Sequence, residues 1–333
     1  MAVAKELMNH RDGSKRRYKP TTSKKEAKAA QMKLHNVFRS ENLHVRQDCD
    51  TIMMPAFQLA SRLLWAEPFL DFWHTVFFSS ITETPSPKGS KPDTRHFIYS
   101  ASPPHLTRDQ IRQTHQALDL LSSCVVFELN SSPPRSGGGR CKHLRSTPAT
   151  PPFQGHKSEI QISSYFYNTL SNSAVSAQDK MWLQFELAKT LLHELAHAAV
   201  NAARGRASNH FYFFPGEKVA EDGFQLEAFL FGGAITLHRE DFQAELRKVK
   251  EKKKNGGERG GEVVAPLIEG FRRPWPCREV VEEYEERGSC IGVRGTVLGH
   301  GGREGVRFRN VERLFSERFW EEDGGAFGGL GMV

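Results

Sequence analysis

The stretch "AQDKMWLQFELAKTLLHELAHAAVNAARG", residues 177–205, constrains this chain more than any other segment. Alanine and leucine are strong helix formers, and no glycine or proline interrupts the run before Gly205. Ser176 and Asp179 stand at the spacing of a capping box, and Gly205 supplies the residue that commonly ends a helix. A helix from about Ser176 to Ala203 is therefore expected. Leu187, Leu191 and Leu195 recur every fourth residue and form an apolar stripe, while Ala198, Ala199, Ala202 and Ala203 let neighbours approach closely. Such a helix can be buried deeply, so the rest of the chain has to pack around it.

His193 and His197 occupy that helix four residues apart, with Glu194 between them in "HELAH". Residues i and i+4 share a helix face, so both imidazoles can aim a nitrogen at one point about 2.0–2.1 Å away, the bond length zinc requires. Glu194 lies one residue further round, beside that point rather than on it. There it can take a proton from a water molecule whose pKa zinc lowers from 15.7 to about 7. This is the physical content of the H-E-x-x-H spacing used by hydrolytic zinc sites. Two unrelated histidines on a core helix would produce the same letters, so the pattern needs a third ligand.

A catalytic zinc site takes three protein ligands and leaves one position open. Candidates follow in "VAEDGFQLEAFLFGG", a second helix expected to open just after Pro215 and to close at Gly232-Gly233. Glu221 lies 24 residues beyond His197, enough for a helix end, a loop and a return helix. Glu227 and Asp222 are the alternatives, Glu227 falling on the opposite side of the helix from Glu221, and His210 is a nearby histidine. From Trp182 to Gly233 the chain resembles the gluzincin metallopeptidases, in which H-E-x-x-H precedes a second helix that supplies a glutamate. Their aminopeptidase-like members carry N-E-G-F-A there, and their thermolysin-like members N-E-x-x-S-D. The corresponding piece here, Ala220-Glu221-Asp222-Gly223-Phe224-Gln225, departs from both. Aligned on Gly-Phe instead, Asp222 takes the ligand's place. The chain is also similar to uncharacterised fungal proteins that pair such a helix with a trailing "LFGG" and a late "FW". The resemblance implies one zinc ion, peptide-bond hydrolysis and Glu194 as general base. It also implies an oxyanion donor, for which Tyr212 and Tyr284 are candidates beside His210 and His238.

The remaining segments predict an α+β fold over 48–322, which the resemblance implies is a zincin-like domain. "DTIMMPAFQLASRLLWAEPFLDFWHTVFF" reads as core helix. Strands are expected at Arg95 to Ser100, in "CVVFELN" and from Glu159 to Ser163. Thr107 caps a helix whose Ile111, Leu118 and Leu121 share one face. "SSPPRSGGGRCKHLRSTPATPPFQG", about 131–155, reads as a flexible surface insertion, and the charged 250–262 run as a second. "SEIQISS" is placed where zincin-like folds hold an extended substrate against a sheet edge, although a plain core strand fits it as well. Residues 323–333 read as a glycine-rich tail.

The formal net charge of +7 belongs to the N-terminus. Met1 to Arg46 holds twelve Lys/Arg against four Asp/Glu, and the remainder sums to −1. Residues 1–47 therefore read as a disordered basic tail, helical around Lys24 to Phe38, and any nucleic-acid contact would run through it. No apolar stretch follows the first Met and none reaches the roughly 18 residues of a membrane span. Five scattered cysteines without a CxxC suit a reducing compartment. The expectation is an intracellular protein, cytoplasmic or nuclear, that does not use a membrane. The leading function is a zinc metallopeptidase acting on a peptide or protein substrate. An SprT-like protease of DNA-bound proteins, and an inactive zinc-containing interaction protein, are the alternatives.

Overall fold

The computed structural model describes residues 34–44, 47–85, 95–100, 105–130, 138–205, 210–215, 217–238, 268–273, 275–276, 304–316 and 319–320, with single positions at 245, 247–248, 251 and 281–282. Within these the fold is mixed α+β, as expected, with three small sheets around one long helix.

That helix, here α5, runs Ala177–Arg204. Ser176 accepts the Asp179 backbone N–H at 3.0 Å, and its hydroxyl donates to Asp179 Oδ2 at 2.8 Å. Gly205 ends it at φ 79°, a left-handed conformation that costs glycine nothing. Leu187, Leu191 and Leu195 are wholly buried. Earlier in the chain come α1 (Gln47–Trp65), α2 (Leu70–Phe78), α3 (Arg108–Leu121) and α4 (Ser164–Leu170); α6 (Asp222–Phe231) and α7 (Phe308–Phe315) follow. Of these α1, α2, α4, α6 and α7 pack directly on α5. The core-helix reading of "DTIMM…VFF" resolves into α1 and α2, separated by a short 3₁₀ turn at Glu67–Phe69. Pro55 sits inside α1, and Gln184 of α5 mends the ladder there. Its Oε1 accepts the Ala56 N–H at 3.1 Å, and its Nε2 donates to the Ile52 carbonyl at 2.6 Å.

The sheet against α5 has the order β1-β4-β6-β5: Leu43–His44, Val125–Asn130, His156–Ser163 and Gly139–Pro148. The first three strands are parallel, and β5 is antiparallel to β6. A second sheet joins β2 (Ile81–Thr84), β3 (His96–Tyr99) and β7 (His210–Tyr212). A third joins β8 (Ala234–His238), β9 (Glu269–Arg273) and β10 (Glu304–Val306). Asp179 ties the third sheet to the long helix, because its Oδ1 accepts the N–H of Ile268 at 2.9 Å in a buried setting. The late "VERLFSERFW" docks through Val311, Leu314 and Phe319.

Four expectations need correction. The folded body starts before residue 48: Val37 and Phe38 are wholly buried, and Leu43 pairs with Phe127. Two 3₁₀ turns, at Asn36–Phe38 and Ser40–Asn42, replace the helix expected to reach Phe38; residues 24–33 lie outside the described set. The insertion at 131–155 is not loop throughout. Gly139–Pro148 is the edge strand β5, ordered by its ladder to β6 and by glycines that press on α5. The second helix opens at Asp222 and not after Pro215, because Glu221 is its N-cap. The runs 252–262 and 323–333 lie outside the described residues.

Candidate metal centre

The site is built where α5 and the start of α6 cross. His193 and His197 project from one face of α5, as their spacing requires, with ring centroids 5.3 Å apart. Glu221 reaches both from the opposite side: its Oε1 lies 2.8 Å from His197 Nε2 and 3.4 Å from His193 Nε2. Its other oxygen accepts the Phe224 N–H at 2.5 Å, which caps α6. One carboxylate thus starts a helix with one oxygen and points the other at two imidazoles. The chain's own secondary structure holds it there.

Each imidazole is backed by a second carboxylate. Glu227 Oε1 lies 2.9 Å from His193 Nδ1, and Asp222 Oδ2 lies 3.5 Å from His197 Nδ1. With the Nδ1 atoms so occupied, both Nε2 atoms face Glu221. Glu227 and Asp222, candidate ligands in the sequence, therefore stand behind the histidines and not on the shared point. Glu227 was expected on the opposite side of the helix from Glu221, yet both carboxylates reach the His193 ring, Glu227 at Nδ1 and Glu221 at Nε2.

Glu194 is 3% exposed and lies under the edge strand. Its Oε2 accepts the Cys141 backbone N–H at 2.8 Å, and Gly139 leaves room for its side chain, since a Cβ there would meet Glu194 Cγ at 2.9 Å. Phe224 packs edge-on against His193 and stacks on Trp275, closing one flank with hydrocarbon. Gly223 lies flat against the His193 ring.

The charges reinforce one another. Burial alone would raise the Glu221 carboxyl, but the two imidazoles outweigh it and hold the group well below the usual carboxylate range. Burial works against a charge on His197 as well, yet Glu221 and Asp222 more than offset it and raise its proton affinity well above that of an ordinary imidazole. Burial also pushes the neighbouring Cys141 thiol up to about 12, so it stays protonated.

His193, His197 and Glu221 offer ligand atoms within 4.8 Å of one another, the one such group among the described residues. Two imidazole nitrogens and one carboxylate oxygen are the donor set of a catalytic zinc site, and the carboxylates on the far nitrogens fix the tautomer a metal needs. The residues fit a divalent cation. His210 stays outside the group. It sits in β7 with its ring against His96, whose Nδ1 meets the Tyr212 hydroxyl at 2.9 Å. Burial lowers the pKa of His210 to about 4. Tyr284 and the side chain of His238 lie outside the described residues.

Reading the sequence did not find the contribution of β5, the backing roles of Glu227 and Asp222, or the need for Gly223. Only Gly223 left a trace in the letters, as the Gly-Phe pair after Glu221-Asp222. Set against protein-family models, curated proteins and solved structures, the chain matches none of them. No helix among the described residues is long and apolar enough to cross a membrane.

Proposed function

We propose that this chain is a zinc-dependent peptidase with a zincin-like catalytic domain, in which His193, His197 and Glu221 hold one zinc ion and Glu194 is the general base. The observation that carries the reading is the convergence of two Nε2 atoms and one carboxylate oxygen on a single point. Bound zinc would supply Lewis acidity, polarising a carbonyl and acidifying a water. The chain supplies the rest. Glu194 accepts the proton of the attacking water, and the Cys141 N–H holds its Oε2 at 2.8 Å. The proton then passes to the departing amine nitrogen as the C–N bond breaks.

A peptide suits this site better than another hydrolysable substrate because of β5. Among the described residues this strand ends the four-stranded sheet, with β6 as its one partner. Beside that strand Cys141 turns its N–H to Glu194, so an extended chain added to this edge would lie next to the base. "SEIQISS", the strand considered for that role, is β6, which has neighbours on both sides. His210 lies in β7 and the third group of the cluster is a carboxylate, so the geometry favours the glutamate-ligand reading over the SprT-like one.

Glu194→Gln tests the proposal. The variant keeps the shape of the site and should retain zinc while hydrolysis of a peptide library falls by a factor on the order of 10² or more. Undiminished hydrolysis refutes the assigned base. Zinc in the parent with no cleavage across the library would favour an inactive interaction protein.

A further inference from the structure

Lys189 stands one turn before His193 on α5 and is 7% exposed. Its ammonium lies 3.4 Å from Glu186 Oε1, and 3.4 and 3.5 Å from the two oxygens of Glu227. Glu227 is 2% exposed and has further partners: Oε1 meets His193 Nδ1 at 2.9 Å, and Oε2 accepts the Ile235 N–H at 3.2 Å. Both oxygens are therefore held from two sides, and the carboxylate cannot turn without breaking contacts in a place water does not reach.

Burying an ammonium is costly, and an apolar side chain of similar size would serve packing alone at least as well. What Lys189 does that an apolar residue could not is donate to Glu227. A carboxylate held in this way can only accept, so the His193 Nδ1 must donate to it, and the lone pair is left on Nε2, facing Glu221 and His197. The chain of contacts runs Lys189 to Glu227 to His193, from the body of the protein to the ligand atom.

We propose that Lys189 is a positioning residue of the metal centre: it locks the Glu227 carboxylate, which in turn sets the tautomer and ring orientation of His193. The inference rests on the zinc-site reading above and deepens it. Lys189 touches neither the metal position nor substrate. A merely structural lysine, satisfied by Glu186 three residues earlier, would make a different prediction.

The test is zinc affinity of the full chain, by competition with a chromophoric chelator, together with the visible spectrum of the cobalt(II)-substituted protein. Lys189→Met should weaken zinc binding roughly 10–100-fold and change the cobalt spectrum. Glu186→Gln should leave both close to the parent. Because Lys189 acts through Glu227, the double variant Lys189→Met/Glu227→Gln should bind zinc no more weakly than Glu227→Gln alone. If Lys189→Met is too unstable to purify, that last comparison decides, since it leaves no unpaired charge at Glu227. Parental affinity and spectrum in Lys189→Met would overturn the proposal, and so would losses that multiply in the double variant. A parent that binds no zinc would instead overturn the metal centre itself, a separate and distinguishable result.

Discussion

Gly223→Ala is the sharpest probe of how the two helices are fitted together. A Cβ at Gly223 would stand 2.4 Å from His193 Cδ2 and 2.5 Å from its Cγ and Nε2. Ordinary carbon contact begins at about 3.5 Å, so ring or helix must yield by about 1 Å. Neither can do so cheaply. The His193 ring is 3% exposed and tied to Glu227 at 2.9 Å, and the backbone at Gly223 carries Asp222 and Glu221 immediately before it. Metal–ligand distances tolerate only about 0.2 Å, so such a displacement removes His193 or Glu221 from coordination. We expect zinc affinity to fall by about 100-fold or more, since even misorienting a ligand costs 10–100-fold. The metal-free protein should lose about 1–3 kcal/mol to overpacking. The sign is diagnostic, because alanine in a helix otherwise stabilises by up to about 1 kcal/mol over glycine. Chelator competition and urea melts of the metal-free protein measure both quantities. Parental zinc affinity together with parental or higher stability would refute the packing of α6 on His193.

Two further outcomes follow from the same structure. Gly155→Ala should lower Tm by roughly 5 °C or more, because its Cβ would fall 2.0 Å from the Asn201 carbonyl oxygen at the end of α5; an unchanged melting curve would contradict the close approach of that loop. Burial pushes the Glu217 carboxyl up to about 8, against the opposing hydrogen bonds from the Phe213 and Phe214 N–H groups. The folded state therefore holds this proton more tightly than the unfolded chain, so the stabilisation is complete below about pH 4.3 and is lost as pH rises toward 8. Each tenfold difference in proton affinity is worth about 1.4 kcal/mol, and Glu217→Gln should flatten stability between about pH 5 and 8 in chelator-treated protein. Identical pH profiles for parent and variant would sink that assignment.

What could be read in the letters was what local chemistry determines. The long helix declares itself at both ends, through Ser176 and Gly205, and its face through the leucine stripe. Thr107 marks the start of α3, where its hydroxyl caps the helix as expected. The edge strand β5 was hidden because its order is not local. Its Pro/Gly/Ser/Thr-rich surroundings read as loop, and it becomes a strand by pairing with β6 while Gly138 and Gly139 let it approach α5. The start of α6 was misplaced for a related reason. Glutamate is an uncommon cap, and here one carboxylate caps the helix and faces the histidines at once. Periodicity separates Glu227 from Glu221 around the helix, but that both meet His193 depends on how α6 crosses α5. Residues 34–44 were assigned to the basic tail on composition, yet Val37 and Phe38 are enough to anchor them in the core.

The central claim is tested most directly by counting metal. Purified parent protein and Glu194→Gln should each carry about one zinc per chain, and Glu221→Ala and His193→Ala should carry almost none while keeping the far-UV circular dichroism of the parent. Protein that takes up no stoichiometric divalent cation, or a Glu221→Ala variant that holds zinc as firmly as the parent, would contradict the metal centre.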